Sequence, residues 1–332
     1  MDLPLPPPTD TVAPQMSSTS ALANLGLAIA GLAVLARAAD MFVDGAVGIS
    51  RKFGVSPVLI GAVVIGLGTS LPELLVSVLA AARGDASLGV GNVVGSNVAN
   101  LSLVLGVAAL LAPLAVNAGV LRREAPVSFL AVGGFALALQ NGLTRLDGFL
   151  LLGGLVVTIV IVVRAASRGR NEALAEDVDE EFLPLRTGRL ALVTVVGLVG
   201  TTLGAQLLVS GAIGLATGAG ISEGFVGVTL VAVGTSLPEL VTAIHAARRH
   251  EDELIIGNVL GSNVFNSLLV GGAIALIAPG PIDDIRLVTL GAAGMTAVAL
   301  MAWFLMARGR RIVRSDAALL LAGYVAVVAL IA

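Results

Sequence analysis

Long apolar runs alternate with short polar or turn-forming stretches along most of the chain. Each run has about the 20 residues that a helix needs to cross the hydrocarbon core of a bilayer. The first and sixth runs continue into glycine-containing stretches, which predicts two helices longer than the others. The pattern predicts an all-α integral membrane protein with about ten transmembrane helices, near residues 21–43, 57–82, 87–112, 121–140, 146–165, 189–216, 223–247, 254–278, 285–307 and 315–332.

The middle of this pattern occurs twice. Residues 61–113 align without a gap with residues 227–279, at an offset of 166 residues, and about half of the aligned positions are identical. Each copy would hold five helices, so the second copy would enter the membrane from the opposite face. Such inverted repeats are typical of secondary transporters, whose binding site lies near the bilayer midplane between the copies. A duplication kept only for packing is the alternative, but the repeated residues are polar rather than apolar.

Composition supports the membrane assignment. Hydrophobic residues make up 57% of the 332 residues and charged residues 12%, whereas soluble domains carry about 25% charged residues. The chain has no cysteine, which excludes disulfides and thiolate metal sites. A net charge of −3 without a dense basic run speaks against a nucleic-acid partner. The expected surroundings are those of a lipid bilayer.

Four segments follow from the pattern. We expect a disordered tail at 1–20, a first membrane repeat at 21–166, a charged cytoplasmic linker at 167–188 and a second membrane repeat at 189–332. The tail is rich in Pro, Ser and Thr and lacks the basic start of a signal peptide.

Basic residues are distributed unequally between the two sides of the predicted membrane bundle. The poorer side collects only Arg83, Arg145 and Arg286. The positive-inside rule makes the richer side cytoplasmic and places both termini outside the cytoplasm. The richer side collects Arg51, Lys52, Arg122, Arg123, Arg164, Arg168, Arg170, Arg186, Arg189, Arg248, Arg249, Arg308, Arg310, Arg311 and Arg314.

Two acidic residues, Glu73 and Glu239, fall well inside the predicted spans, at equivalent positions of the repeat. An ionised carboxylate in hydrocarbon is costly, so it normally faces a polar cavity and marks a functional site. A proline precedes each of them, Pro72 and Pro238. Its missing N–H predicts that the helix breaks there and frees backbone carbonyls toward a cavity. A buried pair held by hydrogen bonds alone is the alternative without a function.

The neighbouring polar residues are oxygen donors. Ser96 and Asn100 lie four residues apart on one face of the following helix, and Ser262 and Asn266 repeat that arrangement. Hard oxygen ligands suit calcium, which takes six to eight of them, but do not favour zinc or copper. Sodium also takes oxygen ligands, and two carboxylates would balance one calcium or two sodium ions. Further amides in the same helices are Asn92, Asn97, Asn258 and Asn263.

Other polar residues of the spans are expected to have structural roles. Arg37 and Asp40 could pair within the first helix at i,i+3. His245 has no counterpart in the first copy, which favours interfacial packing over metal ligation. Asn97 and Asn263 are expected to turn away from the predicted ligands and to serve helix packing.

The repeated motifs are specific. GTSLPEL at 68–74 is followed by GNVVGSNVAN at 91–100, and GTSLPEL at 234–240 by GNVLGSNVFN at 257–266. They resemble the two alpha-repeats of the cation/calcium antiporter superfamily, and most closely those of prokaryotic sodium/calcium exchangers. The resemblance covers nearly the whole chain. It implies ten helices, sodium/calcium antiport without a cofactor, and a monomer sufficient for transport.

The resemblance also implies the ion ligands. The two essential glutamates of the family correspond to Glu73 and Glu239. Some members carry Asp where this chain has Asn266, so this site is less acidic and the resemblance does not set the ion stoichiometry. The other implied ligands are the side chains of Thr69, Ser70, Ser96, Asn100, Thr235, Ser236, Ser262 and Asn266 and the backbone carbonyls of Gly66 and Ala232.

These observations predict a secondary antiporter that exchanges sodium for calcium across the cytoplasmic membrane by alternating access, with about three sodium ions entering per calcium exported. A proton-coupled calcium antiporter is the alternative, because two glutamates could carry protons. A passive channel is disfavoured, because channels usually build pores by oligomeric symmetry or filter rings. An intramembrane enzyme is disfavoured, because neither serine motif has a symmetric histidine base.

Overall fold

The computed structural model describes residues 18–173, 187–218 and 232–331. Most of the predicted tail, most of the predicted linker and the start of the seventh apolar run lie outside these ranges. Helices account for nearly all of the described residues. In chain order they are α1 (Ser18–Phe53), α2 (Pro57–Thr69), α3 (Leu71–Ala82), α4 (Ala86–Leu111), α5 (Ala118–Arg122), α6 (Glu124–Leu139), α7 (Arg145–Ala173), α8 (Thr187–Gly218), α9 (Ala232–Thr235), α10 (Leu237–Arg248), α11 (Asp252–Ile277), α12 (Leu287–Gly309) and α13 (Arg314–Ile331).

Seven of the described helices are long and apolar enough to cross a membrane. An eighth span results if α2 and α3 are counted together as one bent segment. Two other described helices are shorter than a full span, because α6 has 16 residues and α10 has 12. The predicted all-α membrane fold is confirmed, and the count of ten helices stays a prediction.

Large apolar side chains cover the outside of the bundle. Leu22 of α1, Phe149 of α7 and Val325 of α13 are 70%, 65% and 66% exposed. Soluble monomers rarely expose extended apolar surface, because water penalises it. Lipid tails impose no such cost, so these outer faces are suited to the hydrocarbon core of a membrane.

The two longest helices, α1 and α8, form an antiparallel pair. They have 36 and 32 residues and therefore span about 50 Å each, more than a hydrocarbon core of about 30 Å. Their backbones meet at glycines: a Cβ atom at Gly31 would overlap the backbone of Leu208, and one at Gly197 would overlap the backbone of Phe42. Small residues permit such an approach, and close packing holds helices together in lipid.

The contacts between α1 and α8 are reciprocal. Gly197 follows Gly31 by 166 residues, and Leu208 follows Phe42 by the same offset. Exchanging the two halves of the chain therefore maps one contact onto the other, as a two-fold axis would. Because the two helices are antiparallel, this axis lies across them. The relation supports the inverted repeat, whose orientation in a membrane stays a prediction.

The helices α4 and α11 occupy the centre of the bundle, and each is buried over most of its length. Each contains one π-helical segment at the same place of the repeat, Ala99–Val104 and Phe265–Val270. α11 lies directly against α2, because a Cβ atom at Gly257 or Gly261 would overlap the backbone of α2. The motifs on α4 and α11 thus face the interior of the protein rather than lipid.

Two short backbone contacts join loops at the ends of the bundle. β1 (Leu114–Ala115) pairs antiparallel with β2 (Arg311–Ile312), and Leu143 forms an isolated bridge with Gly280. β2 follows the end of α12, whereas Gly280 precedes its start. The two contacts therefore join loops at opposite ends of that helix.

Candidate functional site

The site begins with two helix breaks. α2 and α3 meet at a bend of 41°, and Ser70 between them has φ −81° and ψ 1°. Ser236 adopts nearly the same conformation between α9 and α10, with φ −90° and ψ 6°. Pro72 and Pro238 stand in the first turn of the new helices, where a missing N–H is tolerated. The predicted break is confirmed in both halves.

Each break places one glutamate in the first turn of the following helix, Glu73 in α3 and Glu239 in α10. Glu73 is 1% exposed and Glu239 is 0% exposed, and the two carboxyl groups lie near enough to interact electrostatically. Within the described residues, none of the four carboxylate oxygens has a hydrogen-bond partner. A buried charge without compensation costs several kcal/mol, so this pair needs a bound cation or a proton.

The two breaks and the central helices α4 and α11 carry further oxygen donors. In the described part of the chain, the hydroxyl groups of Ser70, Ser96 and Ser236 are buried without a hydrogen-bond partner, and so are the amide groups of Asn100 and Asn266. Buried polar groups in proteins are normally satisfied. Oxygen atoms left over beside two carboxylates are available to a cation. Their role as ligands stays a prediction.

Two hydroxyl groups form hydrogen bonds that cross from one half of the chain to the other. Thr69 Oγ1 donates to Asn258 Oδ1 over 3.4 Å, and Thr235 Oγ1 donates to Asn92 Oδ1 over 3.3 Å. The two contacts are equivalent under the offset of 166 residues. The candidate ligands of the two halves are therefore joined across the repeat, and one shared ion site stays a prediction.

The backbone carbonyls of the predicted ligand set are described to different extents. The Gly66 carbonyl accepts a hydrogen bond from the backbone N–H four residues ahead, over 3.1 Å, and one from the Ser262 hydroxyl, over 3.4 Å. Ala232 begins α9, beside residues outside the described ranges. The Gly68 carbonyl faces Pro72, which has no N–H to donate. The Gly68 carbonyl therefore lacks the backbone N–H donor that a regular helix would supply, whereas the Gly66 carbonyl keeps it.

Asn97 and Asn263 serve contacts between helices. Asn97 Nδ2 donates to Ser267 Oγ over 2.9 Å and lies 3.4 Å from Met295 Sδ. Asn263 Nδ2 donates to the carbonyl of Asn97 over 3.2 Å. Both side chains join α4 to other helices, as predicted.

The expected pair of Arg37 with Asp40 is not the contact found. Asp40 instead meets α10: its Oδ1 lies 2.6 Å from His245 Nδ1 and 3.3 Å from an Arg249 nitrogen, and Arg249 also pairs with Asp44. The spacing of Arg37 and Asp40 reflects one helix alone, whereas packing brings His245 of α10 and Arg249, directly after α10, against α1. His245 therefore has a polar partner at this helix contact and does not serve apolar packing alone.

Ser77 is a polar residue of the site region that sequence reasoning missed. Asn92 Nδ2 donates to Ser77 Oγ over 3.0 Å and to the carbonyl of Glu73 over 3.2 Å. Ser77 lies one turn after Glu73, a spacing that could have drawn attention to it. Its counterpart in the second half is Ala243, so a search for repeated polar residues passes over it.

Two broken helices, an internal repeat and a buried carboxylate pair enclosed by apolar helices define a multi-pass membrane transporter rather than an enzyme. The chain belongs to the sodium/calcium exchanger protein family, whose model matches residues 23–164 and 189–332.

Individual relatives resemble this chain over most of its length. The putative antiporter CaxA of Alkalimonas amylolytica is 37% identical over 308 residues, which cover 90% of this chain and 95% of the relative. The inner membrane protein YrbG of Escherichia coli (strain K12) is 38% identical over 264 residues, 78% of this chain and 81% of the relative. A solved structure of the sodium-calcium exchanger NCX_Mj, soaked with Na⁺ and Sr²⁺, has a TM-score of 0.82 at 31% identity and covers 93% of this chain and 98% of that chain.

Proposed function

We propose that this protein exchanges Na⁺ for Ca²⁺ across the cytoplasmic membrane by alternating access and that it exports calcium. The observation that carries the proposal is the buried pair of Glu73 and Glu239, whose oxygens have no partner among the described residues. Calcium would neutralise both carboxylates at once, and two sodium ions would do the same. Competition of the two ions for one set of oxygens is therefore electrostatically natural.

The ligands would come from both halves of the chain. The twelve predicted ligands offer carboxylate, hydroxyl, amide and carbonyl oxygens, and none of them offers nitrogen or sulfur as its binding atom. The sodium-calcium exchanger NCX_Mj, which this chain resembles at 31% identity, supports sodium and calcium as the transported ions. No cofactor is required by this chemistry, because the ions are the cargo.

Alternating access would use the difference between the core helices and the α1–α8 pair. The core carries the breaks and the polar side chains, whereas α1 and α8 are long and largely apolar. We propose that the pair slides across the core and exposes the site to one side of the membrane at a time. An empty site with two bare carboxylates resists this movement, because it would carry uncompensated charge through the membrane. That cost favours exchange over leak.

Energetics favour about three sodium ions per calcium ion. Moving calcium out against a ~10⁴-fold gradient costs about 5.5 kcal/mol, and its two charges add about 4.6 kcal/mol at ~100 mV. One sodium ion entering down a ~10-fold gradient releases about 3.7 kcal/mol on the same scale. Two sodium ions release about 7.4 kcal/mol, which is too little, and three release about 11 kcal/mol.

The proposed topology has both termini outside the cytoplasm, with two membrane repeats at 21–166 and 189–332 joined by a cytoplasmic linker at 167–188. The basic residues of one side support it, and the relative YrbG is described as an inner membrane protein. The chain contains no cysteine, so single cysteines introduced at Ser18 and Arg170 can be labelled without background. A membrane-impermeant reagent on intact cells should label the first and not the second.

Calcium uptake into sodium-loaded vesicles tests the function. We expect radioactive calcium to enter with the wild type at clamped pH and uptake to fall to background in Glu73→Gln and Glu239→Gln. Asp283→Asn is the matched control, because it also replaces a carboxylate by an amide but lies on an exposed loop. Flux driven by a pH step and not by sodium would overturn the proposal in favour of proton coupling.

A further inference from the structure

Two asparagines that are not among the predicted ligands hold the threonines of the site. Asn92 on α4 and Asn258 on α11 occupy equivalent positions and are 9% and 1% exposed. Each accepts a hydrogen bond from a threonine of the opposite half, Thr235 and Thr69 respectively. These contacts join each central helix to the break in the other half.

The orientation of the Asn92 amide follows from its neighbours. A backbone carbonyl can only accept, so the Asn92 atom 3.2 Å from the Glu73 carbonyl must be the Nδ2 donor. The same Nδ2 donates to Ser77 Oγ over 3.0 Å. The Oδ1 atom then faces Thr235, and it can only accept the hydrogen of that hydroxyl.

A hydroxyl group has one hydrogen, and the direction of this hydrogen decides what the oxygen can bind. The Glu239 carboxylate is close enough to the Thr69 hydroxyl to compete for that hydrogen, although no hydrogen bond of normal geometry joins the two groups. The Ile65 carbonyl at 3.0 Å and Asn258 Oδ1 at 3.4 Å are the acceptors that the hydroxyl meets with hydrogen-bond geometry. These two acceptors share the single hydrogen of the hydroxyl, so the lone pairs of the Thr69 oxygen remain for a cation.

We propose that Asn92 and Asn258 are positioning residues, which turn the hydroxyl hydrogens of Thr235 and Thr69 away from the bound cation. This inference rests on the proposed function, because it assigns the two threonines to the cation site. Partners that orient a ligand in this way typically contribute 10–100-fold to metal affinity.

The two positioning contacts are unequal. The Nδ2 atom of Asn92 has two acceptors, Ser77 Oγ and the Glu73 carbonyl. The equivalent atom of Asn258 has no partner among the described residues, and Ala243 stands where the first half has Ser77. Asn258 Oδ1 also accepts from the Ser262 hydroxyl over 3.4 Å, but its Nδ2 atom holds no acceptor in the described part of the chain. We therefore expect Asn92 to be held more rigidly than Asn258 and its contact with Thr235 to be the stronger of the two.

Crossed double-mutant cycles on calcium binding test the pairing. Calcium affinity is measured by titration calorimetry on the purified full chain in detergent, for Asn92→Ala, Asn258→Ala, Thr69→Val, Thr235→Val and the four double variants. We expect each asparagine variant to weaken binding about tenfold. Asn92→Ala should add little in a Thr235→Val background, and Asn258→Ala should add little in a Thr69→Val background. The two crossed combinations should be additive.

Ser77→Ala tests the inequality, and we expect it to keep the fold intact because it removes a single oxygen atom. We expect it to reduce the coupling between Asn92 and Thr235 to that between Asn258 and Thr69. Equal coupling in all four combinations, or none in the matched pairs, would overturn the inference. Because the measurement is binding rather than flux, matched coupling without sodium-driven calcium uptake would refute the proposed function and leave the positioning role standing.

Discussion

The α1–α8 pair and the core helices come from the same repeat, yet the core has a kind of contact that the pair does not use in the same way. The two long helices meet backbone to backbone at glycines, and so do α2 and α11 in the core. The core halves are also joined by hydrogen bonds between side chains. Backbone contact in lipid depends on shape alone. Side-chain hydrogen bonds also set the direction of each oxygen, which an ion site requires.

The contacts between the α1–α8 pair and the core helices are of a third kind. Leu198 and Val209 of α8 lie against Gly68 and Gly234, the glycines directly before the two breaks. These contacts are apolar, so they do not orient the groups they join as hydrogen bonds do. Among the described residues, the ion pairs between α1 and the core all lie in the second half of α1. Asp40 and Asp44 pair with His245 and Arg249, and Arg51 pairs with Glu251. A boundary of this kind resists sliding mainly at one end, which is what alternating access by movement of the pair needs.

Removing both carboxylates of the core should have the largest effect on transport. We expect the double variant Glu73→Gln/Glu239→Gln to lower exchange more than about 100-fold. Without calcium it should melt at a higher temperature than the wild type, because two buried charges are gone. Thermal unfolding in detergent, with and without calcium, measures both effects. A melting temperature that still rises with calcium would contradict the assignment of the site.

Adding a side chain at a glycine of the α1–α8 contact should lower stability strongly. A Cβ atom at Gly31 would overlap the backbone of Leu208, so Gly31→Ala should destabilise the protein by about 3 kcal/mol. Gly26→Ala on the same helix is the matched control, because its Cβ atom would meet no described atom within 4 Å. The control should be neutral or stabilising by up to about 1 kcal/mol. Equal melting temperatures of the two variants would argue against the backbone contact.

Repairing one helix break should weaken ion binding without disturbing the α1–α8 pair. Pro72→Ala supplies an N–H to the Gly68 carbonyl and favours a continuous helix through Ser70. We expect calcium affinity to fall roughly tenfold, about 1.4 kcal/mol, in a binding titration. Pro57→Ala, at the first position of α2, should leave the affinity unchanged. An unchanged affinity in Pro72→Ala would show that the break is not needed to shape the site.

The ion pairs between α1 and α10 should have the smallest effect on stability. Arg249→Gln removes the contacts with Asp40 and Asp44 and should cost less than about 1 kcal/mol, because these groups are partly exposed. We expect a change in exchange rate with unchanged calcium affinity. Arg248→Gln is the control, since Arg248 forms none of the ion pairs found among the described residues. A loss of affinity in Arg249→Gln would place this cluster in the binding site instead.

Much of the site could be predicted because its causes are local or repeated. The breaks follow from the covalent structure of Pro72 and Pro238, which prevents a continuous helix whatever packs around it. The glutamates stand out because their charge is rare in an apolar run. The contacts of Asp40 and the role of Ser77 escaped prediction, because one depends on packing between α1 and α10 and the other has no repeated counterpart.

Local sequence is enough to predict the membrane class, the two long helices, the breaks and the types of atom proposed for the site. Hydropathy, the proline ring and charge are properties of single residues or short segments. The packing of the folded helices, in contrast, brings Asn92 to Thr235 and Leu208 against Gly31, and it gives Asn92 more hydrogen-bond partners than Asn258. The first two contacts join residues more than a hundred positions apart. They depend on the rotation and height at which helices pack, which no local pattern encodes.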